Sequence, residues 1–186
     1  MPTIRALLPS DAPAFADHLC RNLPTSGTGT TPIFFVRSRH TKLDHPAMVK
    51  RSEEWWSKQV GEPGWERGWG AFEGSGTEQR IVGAISLQTA RYADSQSHRA
   101  GLGMGIEDGF RSAGVGSGLM KASIDWAIEQ KFLSWIDLGV FAHNHPARRL
   151  YEKFGFIEAG RTCDFCRIDG HSVDDIQMVL DLRQLR

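Results

Sequence analysis

The chain carries no excess of either charge: 22 lysines and arginines are matched by 22 aspartates and glutamates. A nucleic-acid platform needs a basic surplus to displace counterions, so the balance argues against that class. The sequence also lacks any apolar run near the roughly 18 residues that would span a bilayer, so no membrane partner is expected. Met1 to Leu8 holds one basic residue and no long apolar stretch. It does not read as a secretory signal, and a cytosolic protein is expected. Cysteine is scarce, with only Cys20, Cys163 and Cys166. An odd, small number describes no disulfide framework. The Cys163-x-x-Cys166 pair has no second pair to complete a four-ligand zinc site, and no helix pattern follows it as a redox pair would require. Two reduced thiols and no metal are expected.

What is present suits one α/β domain spanning residues 1–186. Hydrophobic residues make up 40% of the chain, enough for a sizeable core. Thr3 to Leu8 reads as a strand. Ser10 stands at an N-cap position before a helix with Phe15, Leu19 and Leu23 at spacing four. Pro24 to Pro32 is a breaker-rich loop, Ile33 to Val36 a short apolar run of undecided type, and Pro46 to Val60 a second helix. The period then changes to two. Trp69 to Glu73 and Arg80 to Leu87 read as a hairpin, and Ser97 to Glu107 as a third strand. A helix is expected from about Gly114 to Gln130, its wide apolar arc suited to lying flat on a sheet. Ser134 to Phe141 is a strand. Asn144 caps a short helix that Gly155 closes, and two strands, Phe156 to Thr162 and Asp175 to Leu182, follow. The order implies a mixed sheet with one parallel crossover.

One strand is unusual. Gly101, Gly103 and Gly105 alternate with Leu102, Met104 and Ile106, so one face is bare and the other fully apolar. Either the bare face packs closely against the helix beginning at Gly114, or something must approach the backbone there. The strand feeds the run Asp108 to Gly118, which is rich in glycine and opens a helix. Unpaired N–H groups, the helix dipole and the charge of Arg111 together suit a pyrophosphate. A Walker A loop is absent, and the dinucleotide fingerprint fails because its sixth position, counted from Gly114, is Leu119.

The second informative run is Phe141 to Phe156, with Asn144 at a helix start, Tyr151 further along that helix and a Phe154-Gly155-Phe156 exit. Arg111-x-x-Gly114-x-Gly116 resembles the Gln/Arg-x-x-Gly-x-Gly/Ala motif of the GNAT N-acetyltransferase superfamily. Asn144-x-x-Ala147-x-x-x-Tyr151-x-x-x-Gly155-Phe156 resembles its second signature. The tail from Arg167 to Met178 is similar to a hairpin in bacterial members that acetylate amino acids, related small amines or protein N-termini.

The resemblance implies a mostly antiparallel sheet of about seven strands, with helices on both faces and a splayed parallel pair at its fourth and fifth strands. Acetyl-CoA, the co-substrate, would lie in that gap. The backbones of Met104 and Ile106 would pair with it. N–H groups of Arg111, Ser112, Gly114, Val115, Gly116 and Ser117 would hold the diphosphate, with Asn144 and Ala147 against the arm. A primary amine of a small molecule or amino acid would attack the thioester directly, with no covalent enzyme intermediate, and Tyr151 would protonate the leaving thiolate.

At the position where some members carry a glutamate base, this chain has Ala100. Glu107 is the expected base, with His98 or ordered water as alternatives. Deprotonating a lysine-type ammonium at neutral pH costs about 4–5 kcal/mol, an α-ammonium about 1, so a site without a strong base leans toward weakly basic amines. Phe35, Trp69, Glu73 and His98 are candidate substrate contacts, core packing and solvated strand ends being their ordinary alternatives. A protein N-terminal acetyltransferase and a CoA-binding module without turnover are the rival readings. Many members of that superfamily dimerise, so a homodimer is open.

Overall fold

The structure, a computed structural model, describes residues 2–90, 94–111 and 113–186. Its strands form one seven-stranded sheet in the order β1-β2-β3-β4-β5-β7-β6. β1 (Thr3–Ala6), β2 (Glu66–Glu73), β3 (Arg80–Thr89) and β4 (Arg99–Ile106) are antiparallel neighbours. β5 (Trp135–Phe141) runs parallel to β4, and β7 (His171–Asp181) and β6 (Ile157–Ile168) complete the sheet antiparallel. This is the mixed, mostly antiparallel sheet the sequence implies.

Two-residue alternation gives each central strand two apolar faces, and helices cover both. On one face Trp69, Leu87, Leu102, Leu138 and Val140 pack with Leu119, Met120 and Ile124 of α3 (Val115–Glu129) and with Tyr151 of α4 (His145–Lys153). On the other, Leu7, Phe72 and Ala84 pack with Phe15 of α1 (Ala12–Asn22) and Trp56 of α2 (His45–Ser57). Asp44 caps α2 by accepting from the Ala47 N–H at 3.1 Å, and Asn144 caps α4 by accepting from the Ala147 N–H at 3.3 Å. Ser10 does not cap α1. A 3-10 turn at Pro9–Asp11 leads into that helix, and Asp11 accepts from the Leu8 N–H and from Arg5. β6 runs further than expected, through an irregularity between Thr162 and Cys166, so both cysteines of the late pair sit on it as free thiols.

The feature that makes the site is a short ladder. β4 and β5 pair only at Arg99↔Trp135, Ala100↔Ile136 and Gly101↔Asp137. β4 stays paired to β3 as far as Ile106, and β5 to β7 as far as Phe141. The two halves of the sheet therefore part beyond Gly101 and Asp137, and a gap opens between them.

Candidate active site

In an antiparallel pair each residue's N–H and C=O point to the same neighbour, and the next residue's point the other way. The Glu107 N–H donates to Val82 O on β3, so the backbones of Ile106, Met104 and Leu102 face the gap. Beyond the last rung these groups have no strand partner on that side. The Ile106 carbonyl accepts from Arg111 Nε at 3.0 Å. The gap is part of a cavity of about 730 Å³.

One end of that cavity is built by helix termini. Gly114, at φ +80, turns the chain in a left-handed conformation into α3. The first N–H groups of α3 have no intrahelical acceptor and carry the positive end of the helix dipole. Gly116 lets this turn lie close to its neighbours, since a Cβ there would stand 2.9 Å from Leu150 Cδ2 and 3.2 Å from Ile106 Cδ1. Arg111 lines the same end, half-buried, ion-paired with Asp108 at 2.5 Å and lying over the Phe34 ring at 4.9 Å. Asn144, Ala147 and Leu150 of the α4 region form the facing wall. Of the expected cofactor contacts, Met104, Ile106, Arg111, Gly114, Gly116, Ser117, Asn144 and Ala147 border this one cavity. The Val115 side chain points into the core instead, and Ser112 lies outside the described residues.

Tyr151 also borders the cavity while its ring packs on Phe156 at 5.9 Å. Burial pushes its phenol up to about 12, so it is protonated throughout the working range.

The opposite end lies on the α1/α2 face. The glycine face of β4 does not pack on α3; it looks toward α1, where a Cβ on Gly105 would stand 2.8 Å from Asn22 Nδ2. Ser86 and Gln88 of β3, and Phe34 and Phe35 of the loop after α1, enclose this chamber together with Glu66 and Asp175. Glu66 is almost fully buried and accepts from Trp56 Nε1 at 3.2 Å. Burial raises its carboxyl above the usual range. Asp175 of β7 is raised for the same reason. Gly139, on the neighbouring strand, leaves room for it: a Cβ there would come within 3.0 Å of Asp175 Oδ1. Arg51 of α2 lines the rim.

Three expected substrate contacts and the expected base are corrected. Trp69 is buried on the α3 face, its ring 5.5 Å from that of Trp126, on the wrong side of the sheet. Glu73 is exposed at the end of β2 and pairs with Arg80. His98 is exposed, and its carbonyl accepts from the N–H groups of Ser134 and Trp135. Only Phe35 of that set borders the cavity. Glu107 points away from the gap into a cluster with His18, Arg21 and Arg80, at 3.1, 3.0 and 2.7 Å. Burial alone would raise its carboxyl, but hydrogen bonds from His18 and Arg80 and the nearby Arg21 charge bring it down to about 2. So weak a base does not fit the role expected of it.

His18, Glu66 and Asp175 went unnoticed in the sequence. His18 had a signal: with Asn22 it forms a polar i, i+4 pair on the buried arc of α1, beside Phe15.

A helix-opening glycine loop, a splayed parallel pair and an opposing chamber thus share one cavity. The sequence profile of the acetyltransferase (GNAT) family matches residues 34–156, and the chain belongs to that family. The L-amino acid N-acetyltransferase AaaT of Escherichia coli K12 is 29% identical over 98 residues, which span 53% of this chain and 60% of that relative's length. Among solved structures, yncA of Salmonella typhimurium with its cofactor acetyl-CoA superposes with a TM-score of 0.78 at 17% identity, over 98% of this chain and 94% of that one. The spermidine N-acetyltransferase of Vibrio cholerae, solved with CoA and spermine, gives 0.71 at 19% identity, over 97% and 95%.

Proposed function

We propose that the chain, as a single catalytic domain, transfers an acetyl group from acetyl-CoA to the primary amine of a small molecule or amino acid, by direct attack and without a covalent enzyme intermediate. The observation that carries this reading is the continuity of the cavity. It joins the amides at the start of α3 to a chamber with two buried carboxyls and Arg51 at its rim, through the gap between β4 and β5. Such a passage lets a thioester and an amine meet from opposite faces of the sheet.

The residues present fit the co-substrate. Free backbone edges on Leu102 and Met104 can pair with an amide-bearing arm, and the α3 amides with Arg111 can hold a diphosphate. The Met104 N–H, fixed by the β3 ladder, faces the gap where a tetrahedral oxyanion would need a donor. Tyr151 holds the proton that the departing sulfur requires. Glu66 and Asp175 favour a cationic acceptor, and Arg51 suits an acceptor that also bears a carboxylate. That combination matches the amino acid acted on by the Escherichia coli relative. None of the three cysteines borders the cavity, in keeping with direct attack.

Two measurements test the reading. A thermal shift with acetyl-CoA reports binding, and thiol release across a panel of amines and amino acids reports turnover. Stabilisation together with release on a small amine or amino acid is expected. Stabilisation without release on any amine would favour a binding module, and release only with peptides bearing a free N-terminus would favour a protein acetyltransferase.

A further inference from the structure

With Glu107 taken up in its ion-pair cluster, the acceptor ammonium still needs somewhere to lose its proton. α1 offers one group with suitable geometry. The His18 side chain is fully buried, borders the cavity, and lies beside the glycine face of β4. Its Nδ1 is 3.1 Å from Glu107 Oε1. Its Nε2 has no hydrogen-bond partner, and neither does the Asn22 amide one turn along the helix. Buried polar atoms are rarely left unpaired without a reason, and these converge on one spot. That spot is Gly105: a Cβ there would stand 3.8 Å from His18 Nε2 and 2.8 Å from Asn22 Nδ2. The absence of a side chain keeps the recess open.

The charge pattern fixes the tautomer. Glu107 is ionised at any working pH, and an ionised carboxylate can only accept. In the neutral imidazole, Nδ1 must therefore carry the hydrogen, which leaves Nε2 as a lone-pair acceptor. Arg21, one turn along α1, and Arg80 of β3 hold the carboxylate from its other sides. An imidazole oriented by a half-buried carboxylate, with its second nitrogen unpaired beside Gly105 of the cavity lining, has the arrangement of a general base.

We infer that His18 is the proton acceptor for the incoming ammonium and that Glu107 is the positioning residue that orients it. The inference rests on the acetyl-transfer reading above. His18 Nε2 takes one proton from the ammonium, within reach of a single water bridged to the Asn22 amide, and passes it to solvent. The neutral nitrogen then forms the C–N bond at the thioester carbonyl, giving a tetrahedral oxyanion whose collapse breaks the C–S bond. Sulfur takes a proton from Tyr151, and the second nitrogen proton returns to solvent, which reprotonates Tyr151. The products are the amide, free thiol and one released proton.

The test compares His18→Asn, whose side-chain amide can still donate to Glu107, with wild type on two acceptors. One is a strongly basic primary amine. The other, such as 2,2,2-trifluoroethylamine, is already neutral at the assay pH. Acetyl-CoA affinity and melting temperature serve as controls for the fold. Loss of about 10²-fold or more in kcat/KM on the basic amine is expected, with less than about 5-fold on the neutral one. On the basic amine, kcat/KM of the variant should rise with pH in proportion to the free-amine fraction, more steeply than that of wild type. Glu107→Gln, which can present a donor to Nδ1 and so reverse the tautomer, should lower kcat with acetyl-CoA affinity retained. Equal losses on both amines, or an unchanged pH profile, would overturn the role of His18 and leave acetyl transfer standing. Absence of turnover by wild type on any amine would overturn both.

Discussion

Arg99 and Asp137 form a two-pronged ion pair across the last rungs at which β4 and β5 are bonded, with Arg99 Nε 2.7 Å from Asp137 Oδ2. The strands part directly beyond it. Arg99 also lies over the Trp135 ring at 5.1 Å, so the pair is braced on one side. It spans the paired end of the gap. Arg99→Lys keeps the charge but cannot reproduce the fork. A loss of about 1–2 kcal/mol in unfolding free energy is expected by denaturant titration, together with weaker CoA binding because the gap is less well defined.

Among the described residues, Arg111 is the one full positive charge lining the α3 end of the cavity, and its Nε is already committed to the Ile106 carbonyl. Arg111→Ala should raise the Kd for CoA by about 10–100-fold, the worth of a charge-assisted hydrogen bond to a diphosphate, and should reduce the salt dependence of binding. Arg111→Lys should recover only part of the affinity, because it restores the charge without the bond to β4. Calorimetric titration at two ionic strengths separates the two effects.

Glu107 and Glu66, shifted in opposite directions, should leave opposite marks on the pH dependence of stability. Glu107 is lowered to about 2, so its stabilising contribution is complete above its ordinary value near 4.5 and is lost as pH falls through about 2. The contribution is on the order of 2 kcal/mol, allowing for solvent screening of Arg21 and Arg80, which are 39% and 42% exposed. Glu66 is raised by burial, so the folded state holds its proton more tightly and stability falls as pH rises through the ordinary carboxylate range. Urea melts should therefore show Glu107→Gln flattening the acid limb, and Glu66→Gln stabilising the protein more at pH 8 than at pH 4.

Tyr151→Phe removes the cavity's phenolic proton and little else, since the ring keeps its contact with Phe156. A fall in kcat of about 10²-fold or more is expected, with the Kd for acetyl-CoA within about 2-fold of wild type. Because the phenol is pushed up to about 12, the wild-type rate should show no decline from its ionisation up to pH 10. A pH–rate profile for both proteins checks this.

The half of the site proposed to hold the co-substrate was legible because it is local. The three glycines of β4, the turn at Gly114 and the Asn144–Tyr151 helix each lie within a short run, and each run carries its own backbone reason. The acceptor half was not. Glu66, Asp175 and His18 sit on β2, β7 and α1, and only the sheet order and the layering of helices bring them to one cavity. The misplacement of Trp69 has the same origin. Alternation shows that a strand has two faces, but not which face α1 and α2 will cover. Glu107 was found but misassigned, because His18, Arg21 and Arg80 reach it from α1 and β3.

The most direct test of the account is a crystal structure of the protein with CoA. The account predicts the diphosphate within hydrogen-bond distance of the N–H groups that open α3, and the pantetheine arm between β4 and β5 with its thiol beside the Tyr151 hydroxyl. A CoA molecule bound on any other surface, with β4 and β5 closed against each other, would contradict it.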